Sequence, residues 1–161
     1  MSIKKMVVCM MVVCVLAGSI FSAKPSQAAE REYTNRDVKL LSAIIFCEAG
    51  NQSYAGKLAV GCVVMNRKRS SRFPNSVEKV IRQKRQFSPV ASGKFKKELE
   101  RYNNGSYEKG VRAECVRAAK AALSGQDYVK TRGKKVNMRR YHFFSGHLSR
   151  AKLRIGAHDF K

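Results

Sequence analysis

The stretch Ile44 to Arg67, IIFCEAGNQSYAGKLAVGCVVMNR, decides the fold. Just upstream, Val38, Leu41, Ile44 and Ile45 recur at helical spacing, and Glu48 falls on the same face, three residues beyond Ile45 and four beyond Ile44. An acid thus continues an apolar stripe. A carboxylate at a core position is costly unless it has a partner or a chemical role, so Glu48 is the first place to expect chemistry. Gly50 is placed to end this helix in a left-handed turn. A second helix is expected from near Ser53 to about Arg67, burying Ala55, Leu58, Ala59, Cys62, Val63 and Asn66. Gly56, Ala59 and Gly61 are small enough to let it approach the first closely, and Asn66 reads as a buried amide that ties it to a loop.

Working outward, Thr34 or Asn35 suits the N-cap of the first helix, with Asp37 near the positive end of its dipole. Downstream, Asn75 with Glu78 fits a capping box for a short helix through Val77, Val80 and Ile81, bounded by Pro74 and Pro89. Gln86 to Val90, QFSPV, reads as an aromatic and polar loop, and Lys94 to Tyr102 as a short amphipathic helix. Tyr107 to Leu123 carries Val111, Cys115, Ala118, Ala119 and Ala122 in helical register and closes on Gly125. Strand-like segments follow at 128–132, 136–145 and 153–160. Helices first and a small antiparallel element last make an α+β domain.

Residues 1–28 read as an export signal: Lys4 and Lys5 precede an uncharged run from Met6 to Phe21 and a small-residue end at Ala28. Residues 29–161 then form one catalytic-sized domain. The apolar run is shorter than the ~20 residues that span a bilayer comfortably, with a retained anchor as the rival reading. The chain holds 33 Lys+Arg against 11 Asp+Glu, a net charge of +22, of which the leader accounts for little. Such a field implies an extended anionic partner. For an exported protein that means a wall polymer or a membrane surface; no C-x-x-C finger, RNA-binding strand signature or basic heptad region points to nucleic acid. Membrane contact is expected only during export, and the protein is expected to be a monomer. Of five cysteines, Cys9 and Cys14 leave with the leader. Cys47, Cys62 and Cys115 are an odd set flanked by apolar or small residues, which argues against a disulfide framework. No histidine pair has metal-ligand spacing, so neither metal nor organic cofactor is expected.

The chain resembles the spore cortex-lytic, SleB/CwlJ-type cell-wall hydrolases. The resemblance rests on F-C-E-A followed by G-N-Q-S-Y-A-G-K-L-A-V-G-C-V-V-M-N-R, on S-R-F-P-N-S-V-E-K-V-I, on Q-F-S-P-V, and on Y-H-F-F and I-G-A-H-D-F in the tail. It implies a lysozyme-like or lytic transglycosylase-like domain that cleaves the glycan strands of peptidoglycan, in the spore cortex or in wall remodelling during germination. By the same resemblance Glu48 aligns with the catalytic acid. Cys47 stands where that family commonly has a tyrosine. A wall-binding module of the kind some relatives carry is not expected in this sequence, and basic runs such as 82–85, 94–97 and 130–135 are expected to hold the protein on anionic wall polymers.

A carboxyl in an apolar setting stays protonated at neutral pH and can protonate a leaving glycosidic oxygen. The usual glycosidase adds a second carboxylate. Here Asp159 is the candidate, while Glu78 reads as a helix cap and Glu98, Glu100, Glu108 and Glu114 as solvated helix faces. The first expectation is therefore a lytic transglycosylase in which Glu48 serves as acid and then base. Hydrolysis as a glucosaminidase or muramidase, with Asp159 or the substrate's acetamido group in the second role, is the alternative. A non-catalytic basic wall-binding protein and a membrane-permeabilising cationic protein are the rivals from other classes. Around Glu48 the substrate-binding candidates are Ser53 and Tyr54 at the cleft edge, Gln86 and Phe87 as hydrogen bonder and stacking ring, and Tyr141 with His158 on the sheet wall. Each has a plainer reading: Ser53 as a cap, Phe87 and Tyr141 as core aromatics, His158 as a structural histidine.

Overall fold

The computed structural model describes residues 33–161; the leader expected over residues 1–28 lies outside the described residues. Helix α1 (Asn35–Ala49) opens on a capping box in which Thr34 Oγ1 accepts from the Asp37 amide and Asp37 accepts from the Thr34 amide. Its buried face carries Val38, Leu41, Ile44 and Ile45, as the spacing predicts. It does not end as predicted. Gly50 stays right-handed (φ −55°, ψ −36°), and glycine is required for space instead: a Cβ would lie 2.6 Å from the Phe46 carbonyl oxygen.

Helix α2 (Tyr54–Arg69) is capped by the Ser53 hydroxyl and buried from Gly56 to Arg67. At Gly61 a Cβ would stand 3.1 Å from Ala122 Cβ and 3.2 Å from Ile45 Cδ1, so this glycine lets three helices meet. Helix α3 (Val77–Ile81) starts one residue later than expected, with Ser76 as its cap. Glu78 accordingly makes no capping box and pairs with Arg36 and Arg82. Part of the QFSPV loop is a single helical turn, α4 (Ser88–Ala91), begun by Pro89 in its first turn. Helices α5 (Lys94–Asn103) and α6 (Gly110–Leu123) complete the helical layer, and α1 packs against α2, α5 and α6. The α6 start is later than the pattern suggests because Tyr107 turns inward and is buried.

Strands β1 (Tyr128–Thr131) and β2 (Lys134–Asn137) form one antiparallel hairpin through Gly133. Strands β3 (Phe144–Ser145), β4 (Leu153–Ile155) and β5 (His158–Phe160) form a second antiparallel sheet with β5 in the middle. Two predicted strands are therefore each broken in two. Asn66 of α2 causes the first break, donating to the carbonyls of Met138 and Tyr141 and diverting the chain between β2 and β3. Gly156, at φ +57°, turns the second segment back on itself. Cys47, Cys62 and Cys115 are all free, and burial pushes each thiol up to about 12. Among the described residues no helix is long and apolar enough to cross a membrane.

Candidate active site

Glu48 occupies the last turn of α1, where the helix emerges from the core. Ile44 and Ile45 beneath it are fully buried, and its carboxyl lies half-buried in an open groove lined by Phe46, Cys47, Gly50, Asn51, Val111 and Arg112. Burial is what pushes its carboxyl above the ordinary 4.5, and no neighbouring charge acts against that rise. The loop after α1 is held at the groove's edge by Lys57, a buried lysine whose Nζ donates to the Gln52 carbonyl at 2.6 Å and pairs with Glu114 at 2.9 Å. Gln52 in turn accepts from the Ala157 amide at 3.0 Å, joining this loop to the turn between β4 and β5.

The other sequence-predicted residues are not gathered in that groove. Ser53 is the α2 cap, and the exposed Tyr54 follows it with the Arg117 guanidinium 5.8 Å from its ring centre. Gln86 is half-buried without a side-chain hydrogen bond among the described residues. Phe87 is a core ring, 3% exposed, against Phe144 and under the Arg67 guanidinium; that burial leaves no open face for a sugar. Tyr141 packs edge-on to Phe160 and lines a separate basic recess with Arg139, Arg140, Lys152 and Lys161. His158 packs edge-on to Phe144, and burial pulls its imidazole below the ordinary range. Asp159 is committed to the sheet. The Leu148 amide and then the Arg154 guanidinium hold it below the usual carboxylate range, occupying both oxygens. No cluster of histidine, cysteine and acid side chains able to hold a metal exists among the described residues.

One acid beside the groove is not where the sequence placed it. Glu98, expected on a solvated face, is 4% exposed on the inner side of α5. It accepts from Tyr107 Oη at 3.0 Å, from Arg112 Nε at 3.0 Å and Nη2 at 3.3 Å, and from Arg101. Burial raises its pKa, but the hydrogen bonds from Arg112, Arg101 and Tyr107 outweigh that and hold it ionised. The same spacing argument that found Glu48 points to it, since Glu98 lies three residues beyond Phe95 and four before Tyr102. It lines a recess with Phe46, Cys47, Lys94, Lys97 and Arg101 that shares Phe46 and Cys47 with the Glu48 groove.

Solved structures share the fold that carries these residues. The catalytic domain of the SleB protein of Bacillus cereus superposes with a TM-score of 0.59 at 23% identity, over 81% of this chain and 93% of that one. The catalytic domain of the germination-specific lytic transglycosylase SleB of Bacillus anthracis gives 0.58 at 22% identity, over 81% and 98%. These likenesses establish the lysozyme-like α+β fold. Among curated proteins, the spore cortex-lytic enzyme of Bacillus subtilis is 39% identical over 63 residues, and that of Oceanobacillus iheyensis 33% identical over 79. The matches take in 39% and 49% of this chain but only 21% and 29% of those relatives' length. The family model described as Cell Wall Hydrolase matches residues 51–161, a span that begins three residues after Glu48 and takes in both sheets. On that match the chain belongs to the cell wall hydrolase family.

Proposed function

We propose that this protein cleaves the glycan strands of peptidoglycan as a lytic transglycosylase, with Glu48 as the only catalytic carboxyl. The observation that carries the reading is a half-buried acid whose carboxyl burial pushes above the ordinary range, in an open groove where, among the described residues, it has no ion-pair partner and no second carboxylate lines the wall. The Glu48 proton passes to the glycosidic oxygen as the C1–O4 bond breaks, and the severed strand leaves with a hydroxyl. The C6 hydroxyl of the muramic residue then attacks C1 while the Glu48 carboxylate takes its proton. The C1–O6 bond closes a 1,6-anhydro ring, no water is consumed, and the acid is regenerated. A hydrolase would need a base for water, and Asp159, the candidate for that role, has both oxygens engaged in the sheet.

The substrate assignment is supported by the family and by relatives named as spore cortex-lytic enzymes. On this reading the protein acts at the cortex or wall, reached by export. A net charge of +22 suits an anionic polymer, and its attraction falls as salt screens it. The test is digestion of purified cortex and of vegetative peptidoglycan, with products identified by mass. Anhydro ends from the native protein, and none from Glu48→Gln folded to the same circular dichroism spectrum, are expected. Ends that have taken up water would replace the transglycosylase reading with hydrolysis, and full activity in Glu48→Gln would remove Glu48 from the reaction.

A further inference from the structure

Glu98 is an acid that the reaction above leaves unused, and it is buried more deeply than Glu48. Its surroundings explain why it is there. Among the described residues Arg112 is the one cation lining the Glu48 groove, and its guanidinium gives Nε and Nη2 to Glu98 while lying 4.2 Å from the centre of the Phe46 ring. A guanidinium held by a carboxylate on one side and an aromatic face on the other has little freedom to swing elsewhere. Arg101 and Tyr107 complete the acid's hydrogen bonds, so Glu98 is fixed in turn.

The groups that face Glu48 make Arg112 the decisive one. On α1 its neighbour is the Cys47 thiol, which burial and then the charges of Glu98 and Glu48 push up to about 12, so it stays neutral. Arg112 comes from α6. From α5, Lys94, Lys97, Glu98 and Arg101 line the neighbouring recess that shares Phe46 and Cys47 with the groove. Lys57 of α2 is tied to Gln52 and Glu114. Among the described residues Arg112 is the cation that lines the Glu48 groove itself. Released from Glu98, it would be free to move toward the Glu48 carboxyl, which lines the same groove and has no hydrogen-bond partner among the described residues, and an opposite charge at ion-pair distance favours the ionised form of an acid.

We propose that Glu98 is a positioning residue of this site: by clamping Arg112 against Phe46 it withholds the groove's guanidinium from Glu48. The proposal rests on the reading of Glu48 as the acid of the reaction. Its test is therefore built on a titration that needs no turnover. The Glu48 carboxyl is followed by carbon NMR in protein labelled at glutamate Cδ, assigned by its loss in Glu48→Gln, alongside the pH profile of glycan cleavage. In Glu98→Gln, which keeps the side-chain shape and removes the charge, the Glu48 titration and the alkaline limb of activity are expected to move to lower pH. In the double variant Glu98→Gln with Arg112→Met both are expected to return to the wild-type position. A merely structural role would lower activity at every pH and leave the Glu48 titration where it was, which would overturn the proposal. So would a double variant that stays shifted. Should Glu98→Gln fail to fold, Glu98→Asp withdraws the acid by one methylene and is expected to shift the titration the same way. A shifted titration with no cleavage by the wild type would sink the enzymatic reading and leave the clamp standing.

Discussion

Replacing Asn66 with alanine tests how the helical layer is joined to the sheets. Asn66 is 4% exposed, and its amide nitrogen donates to the carbonyls of Met138 at 2.6 Å and Tyr141 at 2.8 Å. Its oxygen accepts from Arg69 at 2.7 Å. Truncation leaves the Tyr141 carbonyl without a donor, whereas the Met138 carbonyl still accepts from the Tyr141 amide at 3.0 Å; one such orphan costs ~1–3 kcal/mol. Arg69 is exposed and rehydrates, so the third bond adds little. The expected loss is about 2 kcal/mol. In urea, with a slope of about 2 kcal/mol per molar for a domain of this size, the unfolding midpoint falls by about 1 M. Asn66→Asp separates donation from volume. It fills the same space but aims a carboxylate oxygen at two carbonyls, so it is expected to be no more stable than the alanine variant. A loss below about 1 kcal/mol for Asn66→Ala, or an aspartate variant as stable as wild type, would refute the account of the 138–143 segment as tethered by this amide.

Glu48 itself is expected to cost stability. Its folded-state pKa is raised, so the contribution of its proton is fully present below the ordinary 4.5 and is lost as pH rises through the folded value. Glu48→Gln, which cannot ionise, should therefore melt above wild type at about pH 7, with the advantage closing by about pH 4; a melting-temperature series over that range checks the sign. At the turn between β4 and β5, Gly156→Ala puts a side chain at φ +57° and drives its Cβ into Gln52 Oε1, the acceptor of the Ala157 amide. About 2 kcal/mol of destabilisation is expected, with faster hydrogen exchange at Ala157 as the local readout.

The helical half of the molecule is legible in the sequence because its signals are local. The α1 stripe, the Thr34 cap and the small residues of α2 all act within a few positions of themselves. Gly50 misleads because one residue type serves two needs: the position looks like a left-handed cap, yet the structure uses glycine there for close approach to Phe46. The sheets are harder for a different reason. What breaks the segment at 136–145 is Asn66, more than seventy positions away, and no pattern within the segment announces it. Glu98 lies between these cases. Its inward direction follows from Phe95 and Tyr102 on its own helix, whereas its worth as an ion depends on Arg112 fourteen positions on, across a turn whose geometry the sequence does not state.

That long-range dependence also gives the chain's charge a consequence for the groove. With cations outnumbering acids three to one, an acid has many bases with which to pair. Glu78, Glu98, Glu114 and Asp159 all have one, and all are held below the ordinary carboxylate range. Glu48 is the acid pushed the other way, by burial alone. In so basic a molecule, apolar walls alone do not hold a carboxyl above its ordinary range, because an arginine free to pair with it would pull it down. The groove needs its cation occupied as well as its acid partly buried, and Glu98 is placed to meet the first of these requirements.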